Sequence, residues 1–565
     1  MKKLFLPFII GALLIGCTTN TSEVTETPKV VGEIGEQAMV VSAHILASQV
    51  GKEILVKGGN AVDAAIAVQF ALSVVYPNAG NIGGGGFMVY RANDGAIETL
   101  DYRETAPSKA KRDMYLDNEG NVIEDLSTRG HLASGVPGSV DGMVEAHKKF
   151  GSLPWNELLQ PSIDIAKSGF PISSKEATAL NSIKETLLKN SSIEPAQFIK
   201  EWNEGDTIKH LALAKTLELI RDQGRAGFYE GETAKLIVEE MERGNGIISY
   251  EDLSGYHSIW RKPIIGTYRG YKIITMPPPS SGGIALSQLL QSVEDYDLAT
   301  MGHNSADYIH LLTEAERRVY ADRSEYLGDP AFYNVPVSQL TSSTYNKERM
   351  ASFNPLKATP SDSIGHGSIL LESDQTTHFS IIDAKGNAVS ITTTLNGSYG
   401  SRVVVGNAGF LLNNEMDDFS VKPGFPNMYG LVGGEANAII PGKRMLSSMT
   451  PTIIEKDGQL KLVVGSPGGS TIITSVFQTI LNVIDFNMTM QEAVNAKRVH
   501  SQWKPDVIMH ETDAISQETK ALLEEKGHKF HDRGNIGRVD AVKVLEDGSL
   551  EGGADPRGED KAAGY

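Results

Sequence analysis

The chain runs to 565 residues, carrying 70 acidic against 52 basic side chains for a formal net charge of −18. That surplus argues against a nucleic-acid partner, whose phosphates demand a basic footprint. Its single cysteine, Cys17, rules out an intrachain disulfide framework, and no His/Cys cluster offers a metal or cofactor a seat.

The first segment reads as an address. Lys2 and Lys3 precede an apolar run over residues 4–15, too short to span a bilayer comfortably, which is the pattern of an export signal. The tetrapeptide Leu14-Ile15-Gly16-Cys17 resembles a bacterial lipobox. That resemblance implies a signal peptide over 1–16 and a lipidated Cys17 as the first mature residue. Several acyl chains anchor stably where one binds only marginally. Residues 18–29 are polar and read as a disordered stretch, within a tether over 17–35.

Asn60 is placed to cap a helix over 61–75, with Pro77 just past its end. Small apolar residues cover nearly every face of that helix, so it has no polar side for water and belongs against a sheet. The glycine-rich loop 80–86 follows, then a strand-like run over 87–91. A phosphate-binding reading fails, because the loop leads into a strand and no Gly-Lys-Ser/Thr follows. Close backbone packing accounts for the glycines instead. Residues 140–245 and 284–350 are mainly helical by period, with amphipathic stretches at 211–221 and 309–320. The run 277–283, rich in proline, serine and glycine, breaks that pattern.

After residue 376 the period changes. Runs over 378–383 and 388–394 form a β-hairpin through Ala384-Lys385-Gly386-Asn387. Strand character continues at 410–412, 452–455 and 460–464, before helices over 475–484 and 490–496. No linker divides the middle of the chain. By length the chain has room for roughly two to four domains, and one large interleaved domain is also open. The strand blocks and packed apolar helices fit a sheet pair covered by helices, class α+β.

The run Gln375-Thr376-Thr377-His378-Phe379-Ser380 carries the chemistry. A threonine hydroxyl is a poor nucleophile without a base beside it. If the Gln375–Thr376 bond breaks, Thr376 gains an α-amine with a pKa of roughly 7.7–8.0, against about 10.4 for lysine. A useful fraction is then neutral near physiological pH, and threonine activated by its own amine is a known form of covalent catalysis. Taken alone, the same run is also the start of an ordinary strand.

Its neighbours decide between these readings. Gly58-Gly59-Asn60-Ala61-Val62-Asp63-Ala64-Ala65, residues 81–87, Asp101-Tyr102-Arg103-Glu104-Thr105-Ala106-Pro107 and residues 131–138 resemble large-subunit blocks of the γ-glutamyltranspeptidase family. Residues 376–380, 411–419, 429–437, 446–452 and 465–470 resemble its small-subunit blocks. The similarity runs from about residue 35 to Tyr565. It implies an N-terminal nucleophile hydrolase with a four-layer αββα core. It also implies self-cleavage at Gln375–Thr376 into a large subunit (36–375) and a small subunit (376–565) that stay one folded unit.

The resemblance further implies a role for each matching residue. Thr376 is the nucleophile, and Thr394 orients its hydroxyl. The backbone N–H groups of Gly468 and Gly469 form the oxyanion hole. Arg103, Ser447 and Ser448 hold the substrate's α-carboxylate, while Asn396, Glu415 and Asp418 surround its α-amino group. His378 is structural, because the N-terminal amine already fills the base role. Residues 421–434, with Pro423, Pro426 and Tyr429, resemble the family's lid loop. Met445 departs from the proline common at that position, which leaves the approach to Ser447 and Ser448 less stiff.

The implied protein is an exported, membrane-anchored γ-glutamyltransferase that hydrolyses glutathione and other γ-glutamyl compounds. Its acyl group passes to water, amino acids or peptides, with no cofactor and no nucleic acid. The alternatives are a glutaryl-cephalosporin acylase or poly-γ-glutamate hydrolase on the same scaffold, or a non-catalytic lipoprotein that binds γ-glutamyl peptides.

Overall fold

Alternation of side chains along paired strands sets the architecture. The computed structural model describes residues 28–364 and 376–565. The export signal, Cys17 and Gln375 therefore lie outside the described residues. Two seven-stranded sheets stack face to face. In chain order the strands are β1 (Glu33–Gly35), β2 (Met39–Ser42), β3 (Gly85–Arg91), β4 (Ile97–Asp101), β5 (Ile259–Arg261), β6 (Ile264–Tyr268) and β7 (Tyr271–Thr275). They continue with β8 (Thr377–Ile382), β9 (Ala388–Thr394), β10 (Thr452–Lys456), β11 (Gln459–Gly465), β12 (Asp540–Val544), β13 (Leu550–Gly553) and β14 (Lys561–Gly564). Sheet one runs β14-β2-β8-β9-β3-β4-β5 and sheet two β1-β13-β12-β11-β10-β7-β6. Every pairing within them is antiparallel.

The helices that cover them include α1 (Ile45–Val56), α2 (Ala61–Val75), α3 (Ser139–Phe150), α4 (Trp155–Ser168), α5 (Leu211–Gln223), α6 (Gly282–Val293), α7 (Ala306–Tyr326) and α8 (Thr471–Ile484). In sheet one, Phe379, Ile381, Val389 and Ile391 face outward into one core with α1, α2 and α4. Their neighbours Ile382 and Ala388 face inward, against Ile274, Ile453, Val463 and Val542 of sheet two. The outer face of sheet two packs Ile454, Leu462 and Val464 under α6, α7 and α8. The order helix, sheet, sheet, helix is the four-layer core that the resemblance implies.

The expected helix over 61–75 forms with those bounds. The Asn60 side chain accepts from the N–H groups of Val62 and Asp63, and the Asp63 carboxylate accepts from the Asn60 N–H. Asp63 also accepts from the Ser152 N–H, which is how a carboxylate survives on a helix buried along its whole length. The glycine loop behaves as read. A Cβ on Gly84 would sit 2.0 Å from the Thr394 carbonyl oxygen, and one on Gly83 would sit 2.1 Å from that of Leu411.

Two expectations need correction. Residues 309–320 are buried throughout rather than half-exposed. Their polar face is satisfied internally, by Glu314 paired with Arg317 at 2.9 Å and with Arg318 at 2.8 Å. The tether expected to reach residue 35 ends sooner, because Glu33–Gly35 is an edge strand paired with β13. Among the described residues, no helix is long and apolar enough to cross a membrane.

Candidate active site

Thr376 immediately precedes β8, and strand parity sets its direction. Thr376, His378 and Ser380 share the inward face, opposite Phe379 and Ile381. The hairpin register pairs Thr377 with Thr393, which brings Thr376 beside Thr394 at the end of β9. Their hydroxyl oxygens lie 3.5 Å apart. The Thr394 Oγ1 accepts the Asn396 N–H at 2.7 Å, which holds that hydroxyl in place beside Thr376. Asn396 adopts a left-handed backbone (φ +70°), turning the chain at this point.

His378 lies two residues away and takes no part. Its ring nitrogens bond to the hydroxyls of Thr392 (2.9 Å) and Ser380 (3.0 Å). Burial drives its pKa down to about 3, so the imidazole stays neutral.

Gly468 and Gly469 lie between β11 and α8. Both have left-handed backbones, with φ of +135° and +55°. Side chains there would collide: a Cβ on Gly468 would meet Thr471 Oγ1 at 2.6 Å, and one on Gly469 would meet the Tyr429 ring at 2.6 Å. Among the described residues neither glycine N–H has an acceptor. Both precede the N-terminus of α8, whose dipole favours negative charge. This arrangement can hold an oxyanion.

The other end of the site is built around Arg103, which follows β4 and is fully buried. Its Nη1 donates to Glu415 at 2.7 Å and its Nη2 to Asp418 at 2.5 Å. The carbonyl of Leu446 accepts from Nη2 at 3.1 Å, and that of Met445 from Nε at 3.4 Å. Glu104 approaches Nη1 at 3.5 Å. Burial raises the pKa of Glu415 and Asp418 against the opposing pull of Arg103, and pushes Glu104 up to about 8. Burial alone would lower the Arg103 pKa, but Glu415, Glu104 and Asp418 together hold it above its usual value. Among the described residues Glu415 Oε2 is buried without a hydrogen-bond partner, an acceptor that suits an incoming ammonium.

Ser447 and Ser448 complete this end. The Ser447 carbonyl accepts from the Ser281 N–H at 2.7 Å and from the Ser281 hydroxyl at 2.6 Å. Ser448 Oγ accepts from Arg323 Nη2 at 3.1 Å. Met445 is fully buried in an apolar cluster with Tyr115, Met416 and Phe419, so packing restrains the approach to the serines where a proline would otherwise stiffen it.

The stretch 421–434 folds across the opening. The Tyr429 hydroxyl donates to the Asn396 carbonyl, and Asn427 Nδ2 donates to Asp418 Oδ1 at 3.0 Å. Beside it lies a narrow cavity lined by Thr376, Thr394, Asn396, Arg103, Glu415, Asp418, Ser447, Ser448 and Gly469. Gly468 and Thr376 line a second cavity, on the other side of the nucleophile. All the expected site residues that are described therefore converge. Arg323 and Glu104 were not singled out by sequence, since nothing along α7 distinguishes Arg323 from Arg317 or Arg318. Among the described residues, no group of three His, Cys, Asp or Glu side chains is placed to hold a metal.

Comparison with known proteins follows the same line. The family model described as gamma-glutamyltranspeptidase matches residues 47–565. The glutathione hydrolase proenzyme of Escherichia coli (strain K12) is 46% identical over 570 residues, covering 98% of each chain. That of Pseudomonas aeruginosa is 49% identical over 521 residues, covering 90% of this chain and 91% of the relative. Among solved structures, a cephalosporin acylase from Bacillus halodurans matches with a TM-score of 0.84 at 25% identity, over 97% of this chain and 99% of that one. With residues 47–565 matched by the family model, the chain belongs to the γ-glutamyltranspeptidase family.

Proposed function

We propose that the chain is an exported, lipid-anchored, self-processing γ-glutamyltransferase and glutathione hydrolase. One observation carries this reading. The Thr376 hydroxyl sits between a pair of glycine N–H groups without acceptors and a buried end that carries both carboxylates and hydrogen-bonding serines. In maturation, the Thr376 hydroxyl attacks the Gln375 carbonyl; the N→O acyl shift breaks the amide and frees the α-amine, and water then hydrolyses the resulting ester to release the Gln375 carboxylate and restore the hydroxyl. That amine then takes the hydroxyl proton while Oγ attacks the γ-amide of the donor. Gly468 and Gly469 hold the oxyanion, an interaction whose loss costs about 10²–10³ in rate when one donor is removed. The amine returns its proton to the leaving group, and water or an acceptor amine resolves the γ-glutamyl ester.

In this reading the donor's α-ammonium meets Glu415 and Asp418, with Asn396 beside them, and its α-carboxylate meets Ser447, Ser448 and Arg103. Thr394 orients the nucleophile. The buried Glu415 Oε2, without a partner among the described residues, suits a donor that carries an α-amino group, which a glutaryl side chain lacks. Processing separates the small subunit 376–565 from the large-subunit portion 36–375, which stays joined to the tether that Cys17 anchors.

N-terminal sequencing of both bands from purified protein tests this. The smaller band is expected to begin at Thr376, the larger to be blocked at a lipidated Cys17, and Thr376→Ala to remain one chain. A Thr376→Ala protein that still yields a small chain starting at residue 376 would sink the mechanism. A free, unblocked large chain would remove the anchor alone.

A further inference from the structure

The α-carboxylate of the proposed donor needs a positive charge, and Arg103 is poorly placed to supply it alone. Each nitrogen of Arg103 already donates, and three carboxylates surround it. Glu415 and Asp418 already accept from it and crowd the approach of an incoming carboxylate.

A second guanidinium lies across the cavity. Arg323, near the C-terminal end of α7, is 5% exposed and lines the same space as Thr376. Its Nε donates to Ser281 Oγ at 2.9 Å and its Nη2 to Ser448 Oγ at 3.1 Å. Among the described residues no ion pair joins it to a carboxylate, although Arg317 and Arg318 on the same helix are both paired to Glu314. Asp418 attracts it from beyond hydrogen-bond reach, but its direct contacts in the cavity are to hydroxyls, and such a buried cation is costly for the fold. Such a group is retained where a ligand's charge completes it.

The hydrogen-bond polarity adds a second argument. Ser281 Oγ accepts from Arg323, so its own hydrogen goes to the Ser447 carbonyl at 2.6 Å. Ser448 Oγ likewise accepts from Arg323, which leaves its hydrogen available to the cavity. Arg323 therefore fixes both serines as a unit and aims the Ser448 hydroxyl as a donor.

Resting on the functional reading above, we infer that Arg323 is a positioning and specificity-determining residue for the donor's α-carboxylate. It supplies a positive charge that no carboxylate contacts directly and sets Ser448 to donate. The chemistry selected is an acyl donor with a free carboxylate on the carbon that bears its amine.

Processed protein is compared with Arg323→Met and Arg323→Lys on two anilides, γ-glutamyl anilide and 4-aminobutyryl anilide, which lacks the α-carboxylate. Loss of one charged hydrogen bond predicts that Arg323→Met raises KM for γ-glutamyl anilide about tenfold or more, with kcat changed far less. The variant's kcat/KM on 4-aminobutyryl anilide stays within about twofold of the parent's, because no carboxylate contact is lost there. Arg323→Lys recovers part of the γ-glutamyl KM, and it carries the comparison if Arg323→Met fails to process. Equal losses on both anilides, or an unchanged KM, overturn the inference while leaving the enzyme's activity in place. A parent protein that hydrolyses neither anilide overturns the functional reading, and the inference with it.

Discussion

Glu104 is wholly buried, yet among the described residues neither carboxyl oxygen has a hydrogen-bond partner. Burial pushes its pKa from 4.5 up to about 8, with Arg103 pulling the other way and Asp418 adding repulsion. Between those two values the folded protein holds a proton that the unfolded chain has released. Its contribution to stability is therefore present below about pH 4.5 and is lost as pH rises toward 8. Glu104→Gln keeps the shape and removes the titration. The variant is expected to lose less thermal stability than the parent between pH 5 and 9, by about 2 °C or more in Tm. Parallel Tm-versus-pH curves would show that the proton on this carboxyl does not matter to folding. Nothing in the sequence announced this residue's state: the block around Arg103 was recognisable, but an orphaned carboxyl is a property of what surrounds it.

The elements legible in advance are those with local signals. Helix α2 was readable from its cap, its composition and its closing proline. The β8–β9 hairpin was readable from alternating runs around Lys385-Gly386. The strands of sheet two were harder: β13 holds two glycines in Leu550–Gly553, and β6 alternates weakly at a sheet edge. They become strands because β12 and β7 pair with them, which a local pattern does not encode. The stretch 421–434 is an element of the intermediate kind, visible as a loop while its latch was not. Its Tyr429 hydroxyl donates to the Asn396 carbonyl, and its ring covers Gly469. Tyr429→Phe keeps the ring and removes the latch, a change worth about 1 kcal/mol for a neutral hydrogen bond. KM for γ-glutamyl anilide is expected to rise about fivefold, with the two chains still produced. An unchanged KM would mean that packing alone holds this segment closed.

At the scale of the whole molecule, the site is a meeting of distant segments: residue 103 after β4, residues 376–418 around the hairpin, 447–448 before β10, 468–469 before α8, and Arg323 on α7. Apart from Thr394 and Asn396, which were matched singly, all but the last fell in blocks that resemble a known family; Arg323 did not, and its partners Ser281 and Ser448 are remote in sequence. The same interleaving governs what cleavage does to the protein. In sheet one, β8 and β9 from the C-terminal portion lie between β2 and β3 from the N-terminal portion, and β14 closes the far side of β2. In sheet two, β10 to β13 lie between β7 and β1. Cutting before Thr376 breaks one covalent bond and no ladder, so separation would require dismantling both sheets and the apolar layer between them. Processed protein is therefore expected to elute as a single species containing both chains, and to release them only in the denaturant range where secondary structure is lost. A chain comprising residues 376–565 expressed alone should not fold, because β8, β9 and β10 would each lack a neighbour. Release of either chain in native buffer, or a folded small chain produced by itself, would show that the two portions are separate units.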